Sequence, residues 1–368
     1  MIVYYFGADS PWYNQSEIDI NRRNMAVLLA IAEQPNIKLV YNVIRCTRAL
    51  LFNKKDQIVS LHPKIKNVYI AIILPERGVL KKITQPLNRV LLKTFLPKEK
   101  KGQNNLSWCY WPRGYEDYKF LGLLDRMVFD TDHNIIEDPN LAQNHKKNRT
   151  QLLIEAGNRA EIILSSSRSM IAWYTSKGFN NTKMLMNGVF KSRVHFVDTV
   201  NKAGDDFQVT YCGTLSKWIK LEWLLKMAKD QPNWTINIIG KNFKTELADE
   251  FEIYKNIKMH GFLKPSEVDA ILQKTNVCIG LYREEPALDV NSMKIYDYLA
   301  KGLPVVVNKY HAHLGEDFEH LIMVEDNYTD FVSAIKYAKP IEKDKLKPFL
   351  NNVTWQNRVK ALTQSIDA

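Results

Sequence analysis

Short apolar runs alternate along the chain with longer amphipathic stretches. The runs at 2–6 and 38–43 begin this pattern, and those at 208–212 and 277–281 continue it in the second half. Apolar runs separated by helical periods predict βαβ units around a parallel sheet. A polar stretch at 198–207 interrupts the alternation, and we expect a linker there. The pattern predicts an α/β protein with two Rossmann-like domains.

The period of the apolar positions also predicts the individual elements. Strands are predicted at 2–6, 38–43, 68–73, 126–129, 161–165, 182–186, 208–212, 235–239, 257–260, 277–281 and 304–307. Helices are predicted at 22–33, 148–160, 169–177, 220–230, after Thr245, and at 265–274, 292–301 and 354–366. We expect an N-terminal domain at 1–200, a C-terminal domain at 206–345, and a terminal helix within 346–368 that packs back on the first domain.

Length and charge narrow the class of protein. A chain of 368 residues suits two domains, and 45% hydrophobic with 25% charged residues is a globular balance. The four cysteines are far apart, so they indicate neither a zinc site nor a disulfide framework. The net charge of +11 predicts an acidic partner.

Much of the positive charge lies at 77–101, where an amphipathic helix is predicted at 79–95, bent or split at Pro86. Such a helix can lie on an anionic membrane, or it can pack on its own domain with a solvated charged face. The cations assigned to the membrane contact are Lys81, Lys82, Arg89 and Lys93. No nucleic-acid motif accompanies them, and no apolar run is long enough to span a bilayer. We therefore expect a cytoplasmic protein at the inner face of the membrane.

The strand at 208–212 ends in Gly213, followed by Thr214 and Lys217. A glycine turn between a strand and a helix lets backbone amides approach a phosphate, although glycine also serves there as a simple turn. Further along, Lys294 and Asp297 lie three residues apart on one predicted helix. They face the same way, so Lys294 can supply a cation for a diphosphate while Asp297 accepts hydrogen bonds from hydroxyls. Alternatively, the two residues form a surface ion pair.

The run 291–307, with Asp297, Gly302 and Pro304, resembles the donor-binding signature of group 1 glycosyltransferases of the GT-B fold. Within that family it is similar to xanthan glucuronosyltransferase and teichuronic-acid glycosyltransferases. The resemblance implies two Rossmann-like domains facing across a cleft, a UDP-sugar donor and no metal. It also implies that Asp297, where the family usually has glutamate, binds the ribose hydroxyls. The other implied donor contacts are Tyr282, Glu285, Asn291, Ser292 and Met293.

One position departs from this family. Retaining relatives carry a glutamate eight residues before the helix acid, where this chain has Asp289, with Glu284 and Glu285 slightly earlier. The stereochemical outcome therefore stays open.

The candidates for a catalytic base are Asp130, Asp132 and His133, which follow the strand at 126–129. The carboxyl ends of parallel strands are where sites gather. We expect Asp132 to be the base, His133 to lie beside the transferred sugar, and Asp130 to orient the turn. Alternatively, these acids only cap the turn, or Asp130 and Asp132 form the metal motif of the GT-A fold.

The resulting hypothesis is a hexosyl- or glucuronosyltransferase that acts on a lipid-linked saccharide in bacterial surface polysaccharide synthesis. Two other functions stay open at this point: a nucleotide-sugar epimerase, and a non-catalytic protein that binds nucleotide sugars or polyanions.

Overall fold

A computed structural model describes residues 1–7, 23–47, 62–72, 83–84, 86–87, 105–111, 113–121, 126–132, 143–197, 207–216, 218–240, 249–283, 291–310 and 321–367. They fall into two compact units. The N-terminal unit holds the described residues up to Met186 and the terminal helix from Trp355, and the C-terminal unit holds Asn187–Thr354. The sequence placed the boundary at 200–206. The units divide earlier because residues 187–197 hydrogen-bond to a helix of the C-terminal unit.

The N-terminal unit alternates strands and helices. Its elements are β1 (Ile2–Phe6), α1 (Arg23–Ala32), β2 (Leu39–Thr47), β3 (Ile65–Ile72), β4 (Asn105–Tyr110), α2 (Arg113–Leu121), β5 (Arg126–Asp130), α3 (Gln143–Arg159), β6 (Ile162–Ser165), α4 (Arg168–Ser176), β7 (Thr182–Met184) and the terminal α10 (Trp355–Asp367). The described strands form one parallel sheet in the order β3-β2-β1-β4-β5-β6-β7.

The C-terminal unit repeats this plan. Its elements are β8 (Gln208–Cys212), α5 (Leu221–Asp230), β9 (Thr235–Ile239), β10 (Ile257–Gly261), α6 (Pro265–Leu272), β11 (Val277–Gly280), α7 (Met293–Ala300), β12 (Val305–Asn308), β13 (Leu321–Val324), α8 (Tyr328–Tyr337) and α9 (Lys343–Asn352). The described strands form a second parallel sheet, ordered β10-β9-β8-β11-β12-β13.

Burial explains why the strands consist of continuous apolar runs. All five residues of β1 and all four of β11 are buried. In a parallel sheet, helices cover both faces, so successive side chains on either face meet apolar neighbours. The predicted α/β class with two parallel sheets is therefore confirmed.

Each sheet reverses its strand order at one place. In the first sheet the order turns between β1 and β4, and in the second between β8 and β11. Ligands of open α/β sheets bind outside the carboxyl ends of the strands at such a switch point. The fold therefore marks one candidate location in each unit.

The predicted basic helix at 79–95 is described only at Ile83, Thr84, Pro86 and Leu87, which are helical. Within the described parts of the chain, no helix is both long and apolar enough to cross a bilayer. The polar stretch 198–206 lies outside the described residues.

Helix α10 packs on α1. The Trp355 side chain is 1% exposed, the guanidinium carbon of Arg23 lies 5.8 Å from its ring centroid, and Gln34 Nε2 donates to the carbonyl of Gln356 at 3.1 Å. The predicted terminal helix thus begins at Trp355, while α9 before it belongs to the C-terminal unit.

Substituting Trp355→Ala is expected to lower the free energy of unfolding by about 3–5 kcal/mol, because it removes a buried indole and leaves a cavity. Urea denaturation followed by circular dichroism measures this. The exposed Lys360→Ala on the same helix is the control, with an expected change within about 0.5 kcal/mol. Equal effects of the two substitutions would contradict the packing of α10 on α1.

Candidate functional site

Helix α7 is attached directly to the carboxyl end of β8, at the switch point of the second sheet. The backbone amide of Cys212 donates to the hydroxyl of Tyr298 at 2.7 Å, and the Tyr298 side chain is 1% exposed. Burial raises the pKa of the Cys212 thiol to about 12, so it is protonated at neutral pH. The contact fixes the residues of α7 relative to the end of β8.

Lys294, one turn earlier on α7, lies against two aromatic rings. Its Nζ donates to the hydroxyl of Tyr211 at 3.2 Å and lies 4.3 Å from the Tyr211 ring centroid and 5.2 Å from that of Tyr282. Burial opposes the charge, but Tyr211 and Tyr282 outweigh it and the pKa of Lys294 is raised, so the ammonium is charged at neutral pH. Among the described residues, no carboxylate forms an ion pair with Lys294. The cation is therefore suited to an anionic ligand.

Gly213 gives the Lys294 ammonium its space. Its φ is +153°, and a methyl group on its Cα would lie 3.0 Å from Lys294 Nζ and 2.9 Å from the Tyr211 hydroxyl. The sequence suggested Gly213 as a residue of a loop whose backbone amides approach a phosphate. In the structure that amide donates to the carbonyl of Ile239 at 2.8 Å, so the contribution of Gly213 is its missing side chain. Thr214 is exposed, and Lys217 lies outside the described residues.

Asp297 lies three residues after Lys294, and its carboxylate has a basic neighbour that the sequence did not suggest. Arg193 Nη1 is 3.5 Å from Asp297 Oδ1, and the two side chains are 19% and 24% exposed. Arg193 belongs to a 3₁₀ turn, Lys191–Arg193. Its approach to Asp297 depends on tertiary packing, for which the sequence carries no local signal.

The other predicted donor residues differ in accessibility. Asn291 is buried: its Oδ1 accepts from the amide of Asn187 at 2.5 Å, and its Nδ2 donates to the hydroxyl of Tyr296 at 3.0 Å. Its side chain therefore links Asn187 to the start of α7. Ser292 is buried at the helix start, and Met293 is half-buried. Glu284, Glu285 and Asp289 lie outside the described residues.

Asp130, at the carboxyl end of β5, is fully buried beside a cation. Arg23 Nη2 lies 3.0 Å and Arg23 Nε 3.3 Å from Asp130 Oδ1, and Arg23 is 4% exposed. Burial raises the pKa of Asp130, and the charge of Arg23 partly offsets this effect. For Arg23, burial lowers the pKa, but nearby groups, chiefly Asp130, outweigh burial, so the pKa of Arg23 is raised. Because Asp130 is inaccessible, its geometry fits support of the turn, where Asp132 N donates to Asp130 Oδ1 at 3.4 Å.

Asp132 has a left-handed backbone, with φ of +50°. Its carbonyl accepts from Ser165 Oγ at 2.9 Å and from Ser166 Oγ and N at 2.7 and 2.9 Å. These bonds hold a conformation that costs about 1 kcal/mol or more outside glycine, and such strain often accompanies functional sites.

The Asp132 side chain is 26% exposed and has a defined environment. Tyr110 donates to Asp132 Oδ2 at 2.7 Å, Ser166 Oγ lies 3.2 Å from Oδ1, and Arg23 Nε lies 3.7 Å from Oδ1. Burial, and next the charge of Asp132, raise the pKa of Tyr110 well above its usual value, so the phenol stays a donor. Asp132 is therefore a partly exposed carboxylate held in one orientation.

The structure thus brings Asp130 and Asp132 together, whereas His133 lies outside the described residues. Arg23 pairs with Asp130 at 3.0 Å and lies 3.7 Å from Asp132, so one cation serves both acids. In the described part of the chain, no three His, Cys, Asp or Glu side chains are grouped as metal ligands.

Comparison with known families matches residues 206–338 to the model of "Glycosyl transferases group 1". No curated protein sequence gives a significant match. Solved structures resemble the whole chain. HepE from Anabaena, in complex with UDP and glucose, has a TM-score of 0.68 at 13% identity, covering 100% of this chain and 99% of that chain.

Two further structures show the same fold. Sucrose-phosphate synthase from Thermosynechococcus elongatus has a TM-score of 0.69 at 13% identity, covering 100% of this chain and 98% of that one. The lipopolysaccharide outer core galactosyltransferase WaaB has a TM-score of 0.61 at 14% identity, with 100% and 99% coverage. The GT-A alternative is therefore wrong. Residues 206–338 are similar to the glycosyl transferases group 1 family, and the chain as a whole has the GT-B fold of these solved structures.

Proposed function

We propose that this protein transfers a sugar from a UDP-sugar to a saccharide acceptor. The observation that carries the proposal is the charged Lys294 ammonium, held beside Gly213 at the switch point of the second sheet with Asp297 one turn further on. The group 1 match covers this cluster, and the similar HepE was solved with UDP.

Each residue of the proposed donor site has a distinct proposed role. Lys294 binds the diphosphate and stabilises the negative charge that grows on it as the glycosidic bond breaks. Asp297 accepts hydrogen bonds from the ribose hydroxyls. Gly213 leaves room for the phosphates beside the ammonium. Since Lys294 supplies the positive charge, we propose that no metal is required.

Asp132 is the proposed base. The acceptor hydroxyl oxygen bonds to the anomeric carbon, the bond from that carbon to the diphosphate breaks with its electron pair leaving on the diphosphate, and Asp132 takes the hydroxyl proton. Tyr110 and Arg23 hold the carboxylate in orientation. His133, next to Asp132 in the chain, is proposed to lie beside the transferred sugar.

The proposed acceptor is a lipid-linked saccharide used for bacterial surface polysaccharide, and the transferred group is a hexosyl or glucuronosyl unit. The basic segment 77–101 supports a location at the cytoplasmic face of the membrane. Within it, Ile83 is 63% and Leu87 50% exposed, as expected for apolar side chains that meet lipid. Lys81, Lys82, Arg89 and Lys93 lie outside the described residues.

Lys294→Met is expected to weaken UDP binding about 10- to 100-fold, because a charge-assisted contact to the diphosphate is lost. Calorimetric titration of UDP, with GDP and dTDP for comparison, measures it. Binding should be unchanged by EDTA. The control is Lys347→Met, an exposed lysine of the same unit that pairs with Asp344. Unaltered affinity in Lys294→Met, or binding that disappears with EDTA, would overturn the proposed donor site.

Asp132→Asn is expected to reduce sugar transfer at least about 100-fold while UDP affinity stays the same, because the amide cannot accept the proton. Transfer from a UDP-sugar to lipid-linked saccharides extracted from bacterial membranes measures it. Asparagine tolerates the left-handed backbone, so this variant should fold. Full transfer by Asp132→Asn would eliminate Asp132 as the base, and a wild type that epimerises the donor or only binds it would contradict the transferase function.

The Asp130→Ala variant tests the supporting role of Asp130, in contrast to the catalytic role proposed for Asp132. It leaves Arg23 buried beside only the more distant Asp132, and we expect it to lower stability by about 3–5 kcal/mol. Loss of stability in Asp130→Ala and loss of transfer in Asp132→Asn would separate the supporting acid from the base.

Replacing Lys81, Lys82, Arg89 and Lys93 together by glutamate is expected to abolish sedimentation with phosphatidylglycerol vesicles, since each cation near an anionic surface contributes about 1 kcal/mol. The matched control replaces the exposed cations Lys336, Lys339, Lys345 and Lys347 of the C-terminal unit. Equal sedimentation of the two variants would contradict a membrane contact through the basic segment.

A further inference from the structure

Residues 187–197, here called the strap, run alongside α7 from its beginning to its end. At the start, the amide of Asn187 donates to Asn291 Oδ1 and Asn187 Nδ2 donates to the Asn291 carbonyl. At the other end, His195 N donates to the carbonyl of Ala300 at 3.1 Å and Val197 N to that of Lys301 at 2.9 Å. The strap is therefore attached by hydrogen bonds at both ends of α7.

Side chains strengthen the second attachment. Lys301 is 2% exposed, and its Nζ lies 3.0 Å from Asp269 Oδ1 and 2.5 Å from His195 Nε2. Movement of the strap away from α7 costs free energy, because the nearly buried Lys301 ammonium then loses its contact with His195 and keeps only Asp269 of α6. Arg193 lies between the two attachments, so its backbone has little freedom.

We propose that Arg193 is a positioning residue that makes the donor site selective for ribose over deoxyribose. Arg193 Nη1, 3.5 Å from Asp297 Oδ1, holds that carboxylate in the orientation that receives the 2′-hydroxyl. This rests on the proposed role of Asp297 in donor binding. Arg193 acts through Asp297 and has no assigned contact with the nucleotide.

The chemistry of a carboxylate allows both interactions together. Its two oxygens offer about four acceptor positions, so an ion pair at one oxygen leaves capacity for hydroxyls. An ion pair that restricts the rotation of the carboxylate lowers the conformational entropy that is lost when a directed hydrogen bond forms. Lysine is a point charge without the planar fork of arginine and replaces it only in part.

The test is selectivity measured by binding, which requires no acceptor. Titration of wild type with UDP and 2′-deoxy-UDP is expected to show about tenfold or greater preference for UDP, the size of a hydrogen bond to a charged group. In Arg193→Met the preference should fall to about twofold or less while affinity for 2′-deoxy-UDP stays within about twofold, and Arg193→Lys should recover part of it. The matched control is Arg126→Met, which breaks an exposed ion pair with Glu161 in the other unit and should retain full selectivity.

Asp297→Asn separates failure of the inference from failure of the donor site. If Asp297→Asn loses the preference for UDP but Arg193→Met keeps it, Asp297 binds ribose without help from Arg193 and only the inference is overturned. If wild type binds both nucleotides equally, the assignment of Asp297 to the ribose is wrong and the inference falls with it, while the diphosphate contact of Lys294 is unaffected. If wild type binds neither nucleotide, the proposed donor site itself is wrong. If Arg193→Met weakens both nucleotides to the same extent, Arg193 has a general structural role and the inference is again overturned.

Discussion

The cluster of Gly213, Lys294 and Asp297 depends on the hydrogen bond between the Cys212 amide and the Tyr298 hydroxyl. Parallel strands end with unpaired backbone groups, and this one is satisfied by a buried side chain of α7. Because the bond joins the helix to β8 at one point, the helical repeat determines where Lys294 and Asp297 lie. Lys294, four residues before Tyr298, falls over the Tyr211 ring, and Asp297 faces the strap through Arg193.

The two candidate sites stabilise their charges in different ways, and the difference matches their proposed roles. In the N-terminal unit, Arg23 and Asp130 neutralise each other in the interior, and the partly exposed Asp132 beside them is oriented by Tyr110. In the C-terminal unit, Lys294 keeps its charge next to aromatic faces and a neutral hydroxyl. A cation that is already paired with a carboxylate suits a structural role. A cation that contacts aromatic rings and a hydroxyl can still form a strong, charge-assisted contact with a diphosphate.

The sequence was most informative where local period and position decide the structure. Strands such as Ile2–Phe6 and Gln208–Cys212 were predicted with their observed bounds, since continuous apolar runs are typical of buried parallel strands. It missed β4, whose asparagine, serine and cysteine weaken the apolar pattern although four of its residues are buried. Contacts distant in sequence were also missed: Arg23 meets Asp130 across 107 residues, and Asn187 meets Asn291 across 104. Such pairs depend on how distant segments pack together in the fold, and no local sequence pattern predicts that packing.

The most direct measurement is a crystal structure of the protein with UDP. The donor assignment predicts the diphosphate within hydrogen-bond distance of Lys294 Nζ, beside Gly213, and the ribose hydroxyls at the carboxylate of Asp297, with no divalent ion between diphosphate and protein. A nucleotide bound elsewhere, or a diphosphate held through a metal ion at Asp130 and Asp132, would contradict it.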